Sequence, residues 1–146
     1  MTGGSIKPNV RIEIFRKGKL AEVIVGHNLM TQAGANQLAA IIGGSSTDLF
    51  DYMACGDGTT AVSVGQTALQ GNEHKRVAGT AVVVDNAATW SATFSGFSST
   101  VTINEIGIFT AASGGIMLAR FLTSQFTIGA GESFDVSWSI TVGEGN

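Results

Sequence analysis

The sequence predicts a mainly β protein: a single antiparallel β-sandwich or jelly-roll-like domain with one short helix. Three observations lead there. Phe134, Val136, Trp138, Ile140 and Val142 alternate with Asp135, Ser137, Ser139 and Thr141, a period of two that sets one face on a core and the other toward water. Apolar runs at 106–109 and 116–122 flank Ser113, Gly114 and Gly115 and read as a β-hairpin. One Pro against 20 Gly in 146 residues implies many tight turns.

The elements follow in order. Val10, Ile12 and Ile14 alternate with Arg11, Glu13 and Phe15, giving a first strand, and Lys17-Gly18-Lys19 turns the chain into a second over 20–25. Thr31 is placed to cap a helix by accepting a backbone N–H; Leu38, Ile41 and Ile42 then share one face, and Gly43-Gly44 stops it. Residues 49–55 form a short apolar strand ending at Gly56-Asp57-Gly58. The stretch 59–75 has no clean period and reads as a long loop, the kind of segment that often carries function. Strands over 77–84 and 88–94 meet at Asp85-Asn86, with Trp90, Ala92 and Phe94 on one face. A short strand at 100–103 precedes the 106–122 hairpin; 127–132 is a loop, and 133–142 closes the sheet. Roughly eight strands at this spacing suit a sandwich. There is no fixed-period repeat and no linker, so 1–146 is one domain, with the basic strand pair at 1–27 as a docking arm.

Charged residues are 13%, about half the ~25% of typical soluble chains. Ser and Thr number 28 against 19 charged residues, so the polar faces are hydroxylic. Such a surface suits a chain whose exterior meets partners, because interface cores are depleted in charge; it equally suits a plain Ser/Thr-rich β surface. The net charge of −3 hides an asymmetry: Lys7, Arg11, Arg16, Lys17 and Lys19 face Glu13 alone within the first 20 residues, and the remainder is acidic. A basic arm on an acidic body suggests contact between copies or docking on an acidic surface, whereas a guarded edge strand would look the same. Aromatic residues do not interleave with these bases, so nucleic acid is not expected as a partner. No membrane partner is expected either, since no apolar run approaches the ~20 residues of a bilayer span, and no secretory signal is expected from the first nine residues.

Little points to catalysis. Gly56-Asp57-Gly58-Thr59-Thr60-Ala61 fits G-x-G-x-x-A after a strand, but a poor helix follows and there is no βαβ alternation, so a glycine turn is the better account. Cys55, His27 and His74 lack metal-ligand spacing, and a buried inert thiol is expected at Cys55. No G-x-S-x-G elbow occurs, and Asp48, Asp51 and Asp57 read as solvated acids. Hence no catalytic, cofactor or metal residues are assigned, and the chain is read as not an enzyme. Tyr52, Trp90 and Trp138 would make a glycan platform only if exposed, and both Trp residues fall on inferred core faces. Glu105 and Arg120 could pair across the hairpin and fix its register, or reach a neighbouring subunit; the sequence leaves both open.

Several stretches together resemble small virion proteins of tailed bacteriophages. They are Asn28–Leu38, Met53–Ala61, Thr67–Leu69 with Lys75 and Arg76, Asn104–Arg120 and the terminal strand 134–142. The resemblance covers about 28–142; Cys55 and Asp57 depart from the usual small residue and Thr, and the basic pair at 9–27 lies outside it. It implies a virion structural protein, made in the host cytoplasm: a capsid decoration (cement) protein, or alternatively a tail- or fibre-associated component, with a glycan-binding module as a third reading. The absence of a coiled-coil or repeat shaft favours cement. Expected partners are the major capsid protein and copies of the chain itself, as a dimer or trimer. Expected contact residues are Arg11, Arg16, Lys17 and Lys19 on the basic strand pair, and Thr59, Thr60, Lys75 and Arg76 around the irregular loop.

Overall fold

A computed structural model describes residues 6–27 and 29–143; the side chains of 6–8 and 80 lie outside that description, as does Asn28 at the head of the first phage-like stretch. The described residues form β1 (Ile6–Arg16), β2 (Lys19–Gly26), β3 (Leu29–Met30), α1 (Gln32–Ile42), β4 (Tyr52–Gly56), β5 (Glu73–Ala78), β6 (Thr80–Val84), β7 (Ala87–Phe94), β8 (Val101–Phe109), β9 (Met117–Ile128) and β10 (Ser133–Val142). Two five-stranded sheets result, one ordered β2-β1-β10-β7-β6 and the other β3-β9-β8-β4-β5. Every pairing is antiparallel. The β-sandwich expected from the sequence is therefore the observed architecture.

The alternation in β10 works as its period demands. Phe134, Val136, Trp138 and Ile140 are buried, while Val142 ends half-exposed at the rim. Across the first sheet, Val10 pairs with Trp138 and Trp138 with Trp90, so the inward faces of β1, β10 and β7 form one apolar layer. Phe94 stacks on Phe134 at 4.7 Å, and Phe126 of the facing sheet meets Phe134 edge-on at 5.1 Å. These contacts close the core with the offset and T-shaped geometries that aromatic quadrupoles favour.

Local signals act as expected at two places. Lys17 and Gly18, both with positive φ (53° and 74°), make the tight turn between β1 and β2. Thr31 caps α1: its hydroxyl accepts from Gly34 N at 2.8 Å and donates to Met117 O at 2.6 Å, which fastens the helix to β9. The helix face differs from expectation only at its last residue. Ile42 is 79% exposed, and the closest approach is at Gly34, where an added Cβ would lie 2.6 Å from Leu118 Cα. Ile41 packs against the core and Leu38 is half-buried, and the close backbone approach at Gly34 seats the helix on β9.

Several strand boundaries also differ: β4 begins at Tyr52 rather than residue 49, and β5 takes 73–75 from the expected loop 59–75. The run expected as one strand over 77–84 is two: β5 belongs to one sheet and β6 to the other, with the switch at Gly79, whose N–H donates to Asp51 O at 2.8 Å. A continuous apolar run carries no mark of such a crossing beyond its glycine. The pieces expected at 100–103 and 106–109 merge into β8, because a register shift between Ile103 and Glu105 lets Ile103, Ile106 and Ile108 all face the core. β9 continues to Ile128, since Phe126 and Ile128 are buried opposite Ile103 and Val101.

Candidate functional site

Along β4, most of β8 and the first half of β9, the second sheet is buried on both faces. Its inner face meets the sandwich core; its outer face lies under the loop 57–72. Ala54, Phe109 and Met117 form a second apolar cluster there, with Tyr52 and Leu69 packed against it. Small residues at Ala54, Gly56 and Gly107 leave room above the strands, and Gly107 stands opposite both Ala54 and Arg120 in register. Leu69 fills that space over Gly107, and an ion pair with Glu105 beside Gly56 fills the rest. Arg120 Nε donates to Glu105 Oε1 at 2.7 Å, and both side chains are 0% exposed.

The pair is a clamp on the loop. Glu105 Oε2 accepts from Gly58 N at 2.6 Å and Gly71 N at 2.9 Å, and Oε1 also accepts from Gln70 N at 2.7 Å. Arg120 donates to Thr60 O at 2.7 Å, Gly58 O at 3.3 Å and Gln66 Oε1 at 3.3 Å. Burial alone would raise the Glu105 carboxyl; hydrogen bonds from Gln70, Arg120, Gly71 and Gly58 outweigh it and hold the group below its ordinary value. The G-x-G stretch thus gives one main-chain N–H, that of Gly58, to an anion cradle completed by Gln70 and Gly71, and the anion is the protein's own Glu105. Of the two arrangements the sequence left open for Glu105 and Arg120, the pairing across the hairpin is the observed one. The arrangement offers no general acid or base: the carboxylate is ionised, saturated with donors and closed to solvent.

Gly58 follows from this geometry. A Cβ there would lie 2.5 Å from both Glu105 Oε2 and Gly71 N. Gly58→Ala is expected to cost about 1–3 kcal/mol through overpacking, and to raise protease cleavage within 57–72 before global unfolding; limited proteolysis with a parallel thermal melt checks it.

The other candidates scatter. Thr59 and Thr60 are exposed on the clamped loop. Lys75 and Arg76 already have partners: Lys75 Nζ donates to Ser95 O at 2.6 Å and lies over the Phe97 ring, while Arg76 bonds Glu73, Ala111 O and Gly114 O and lies 3.9 Å above the Phe109 ring. Arg11 pairs with Glu13 at 3.2 Å, and Arg16 joins Glu132 at 2.8 Å and Thr127 O at 2.9 Å, tying the end of β1 to the connection between β9 and β10. Lys17 and Lys19 stand exposed at the turn. The eight residues therefore form no single patch.

Cys55 is buried in β4, and burial pushes its thiol up to about 12, so it is not a nucleophile at neutral pH. Asp57 accepts from Asn72 N at 2.7 Å and Asn72 Nδ2 at 3.2 Å, which hold its carboxyl below the ordinary value; His74 Nε2 lies 3.2 Å away. Asp57 thus helps anchor the loop's end rather than standing as a solvated acid. Among the described residues no three His, Cys, Asp or Glu side chains gather as metal ligands.

One apolar depression opens at the end of the sandwich, a groove of about 410 Å³ between α1 and β6 lined by Leu38, Ile41, Leu49, Val83 and Trp90. The sequence reading missed it, because its walls come from elements distant in the chain. The usable signal was the uncharged run 81–84.

Comparison with protein-family models, curated proteins and solved structures finds no match to this chain.

Proposed function

We propose that this protein is a bacteriophage virion structural protein, a capsid decoration (cement) protein that stabilises a shell through non-covalent interfaces. The observation that carries the reading is the role of the phage-like stretches. Gly56–Ala61, Leu69, Glu105 and Arg120 all build or lie under one buried clamp that fixes the shape of the surface loop 57–72. A loop held this rigidly presents Thr59 and Thr60 without an ordering cost on docking, which favours a contact surface over a catalytic lid. A glycan platform is disfavoured, because Trp90 and Trp138 are buried at 8% and 0% exposure.

A cement protein works by area. Separating two shell subunits must also break the contact that bridges them, and a stable contact of this kind buries about 1,200–2,000 Å². Partners under this reading are the major capsid protein and further copies of the chain. The tail- or fibre-associated reading uses the same clamp and differs in copy number. Quantifying the chain against the major capsid protein in purified particles separates the two: hundreds of copies support decoration, whereas a few to a dozen place it on the tail and overturn the cement reading. For the basic arm, the clean variant is Lys17→Ser with Lys19→Ser, since Arg16 has an internal role. Its particle occupancy is expected to lie below wild type at low salt and to fall less steeply as salt rises, because the screened contacts are gone; equal occupancy at all salt concentrations removes the arm from the interface.

A further inference from the structure

We propose that β6 is the edge through which two copies of this chain pair, antiparallel and about a two-fold axis normal to its sheet. The sandwich has four sheet edges: β2 and β6 on one sheet, β3 and β5 on the other. An open edge is a template for another strand, and proteins blunt edges that must stay free. Three of these are blunted. β3 is only two residues long, and β9 beyond it is met by the Arg16 guanidinium at Thr127 O. β5 carries Glu73, His74, Lys75 and Arg76 in succession. β2 carries Lys19 and Glu22, and its register against β1 shifts at Ile14/Phe15. β6 has no such device. Its sequence holds no charge and no Pro, its register against β7 is unbroken, and Val82, Val83 and Val84 are 58%, 70% and 65% exposed.

The occupant follows from direction and register. All neighbours in this sheet are antiparallel, so β2 and β6 run the same way. A head-to-tail contact that keeps both cores on one side would therefore be parallel, the weaker pairing. A two-fold normal to the sheet sets β6 against β6 antiparallel and continues one ten-stranded sheet, with both cores on one side. Centred on Val82, the pairing places Thr80 opposite Val84 and Ala81 opposite Val83. No like charges meet, and Asp85 falls beyond the paired strands. Ala81 stands beside Trp90 and Val83 beside Ala88, so these two point to the core side, and Val83 lines the apolar groove. The partner's Val83 then sits at the mouth of that groove and covers apolar surface at the rim. Such an isologous contact closes at two copies.

The inference deepens the homo-oligomer part of the function proposed above, yet it is read on purified chain, so failure of the virion reading leaves it standing. Sedimentation velocity in the micromolar range is expected to give twice the chain mass for wild type and the single-chain mass for Val82→Lys and for Val82→Glu. An equimolar mixture of the two variants is expected to recover the dimer, which also shows both to be folded. Val82→Cys is expected to cross-link on mild oxidation, because directly opposed antiparallel residues lie about 4.5–5.5 Å apart at Cα, within disulfide reach. Cys55, at 0% exposure, offers no competing thiol. A monomeric wild type, a trimer, a dimer that survives Val82→Lys unchanged, or a dimer whose Val82→Cys form does not cross-link overturns the proposal.

Discussion

Replacing Arg120 with Met is expected to cost about 3–5 kcal/mol of folding stability, the range for breaking a buried ion pair from one side. The substitution leaves the Glu105 carboxylate, 0% exposed, without the one cationic partner it has among the described residues. It also frees the carbonyls of Gly58 and Thr60, which Arg120 now holds. Glu105→Gln should cost a similar amount by another route. One amide face must point an N–H either at Gly58 and Gly71 or at Gln70 and Arg120, all of which are donors. Urea unfolding of each variant gives the value; a loss under about 1 kcal/mol would be the size of an exposed pair and would remove the clamp from the stability account.

Many buried ion pairs can be exchanged for apolar residues of similar volume at no loss. That rescue is not expected here. Glu105→Leu combined with Arg120→Met removes both charges but strands the N–H groups of Gly58, Gln70 and Gly71, each costing about 1–3 kcal/mol if left unpaired. The double variant should be about as unstable as either single one, and less unstable than their sum, because both substitutions break one network.

The clamp also sets the acid response. The folded value of Glu105 lies below its ordinary 4.5, so its contribution is present above that value and is lost as pH falls through the folded one. Wild type is therefore expected to lose stability below about pH 4.5, and Glu105→Gln should lose less over the same interval. Part of the slope will remain, since Asp57 and Glu132 are also lowered, by Asn72 and by Arg16 respectively. Parallel slopes for wild type and variant would show that Glu105 does not titrate into folding.

How much of this was legible depends on range. β1, β7 and β10 each bury one face, so a period of two announces them residue by residue. The caps at Thr31 and Gly43 are made with their own helix, and the turn at Lys17 and Gly18 needs only its neighbours, whereas the bond from Thr31 to Met117 O is long-range. The division of 77–84 between two sheets was not legible, because Val77 and Val83 are equally apolar and only long-range pairing says which sheet each joins. The clamp lay between these extremes. Its two charges stood out beside apolar neighbours, and its glycines read as a turn. What joined them was contact between Glu105 and main chain 34, 35 and 47 residues away, which no local pattern encodes.

Trp138→Ala should be the other large loss, about 3–5 kcal/mol for a large aromatic removed from a close-packed site. Trp138 is 0% exposed at the centre of β10, with Phe121 meeting it edge-on at 6.5 Å. Trp138→Phe separates packing from polarity. The indole N–H of Trp138 is buried with no hydrogen-bond partner among the described residues, so the change to Phe removes that donor together with some ring area. Trp90 is the contrasting case: its N–H donates to Phe50 O at 2.6 Å, and the change to Phe leaves that carbonyl without its donor. Burial alone ranks Trp138→Phe as the costlier of the two, because Trp90 keeps 8% of its surface exposed. Hydrogen-bond satisfaction reverses the order, and equilibrium unfolding should find Trp90→Phe the more destabilising. The opposite ranking would mean that ring area decides the stability at both sites and that the orphan N–H of Trp138 carries no cost.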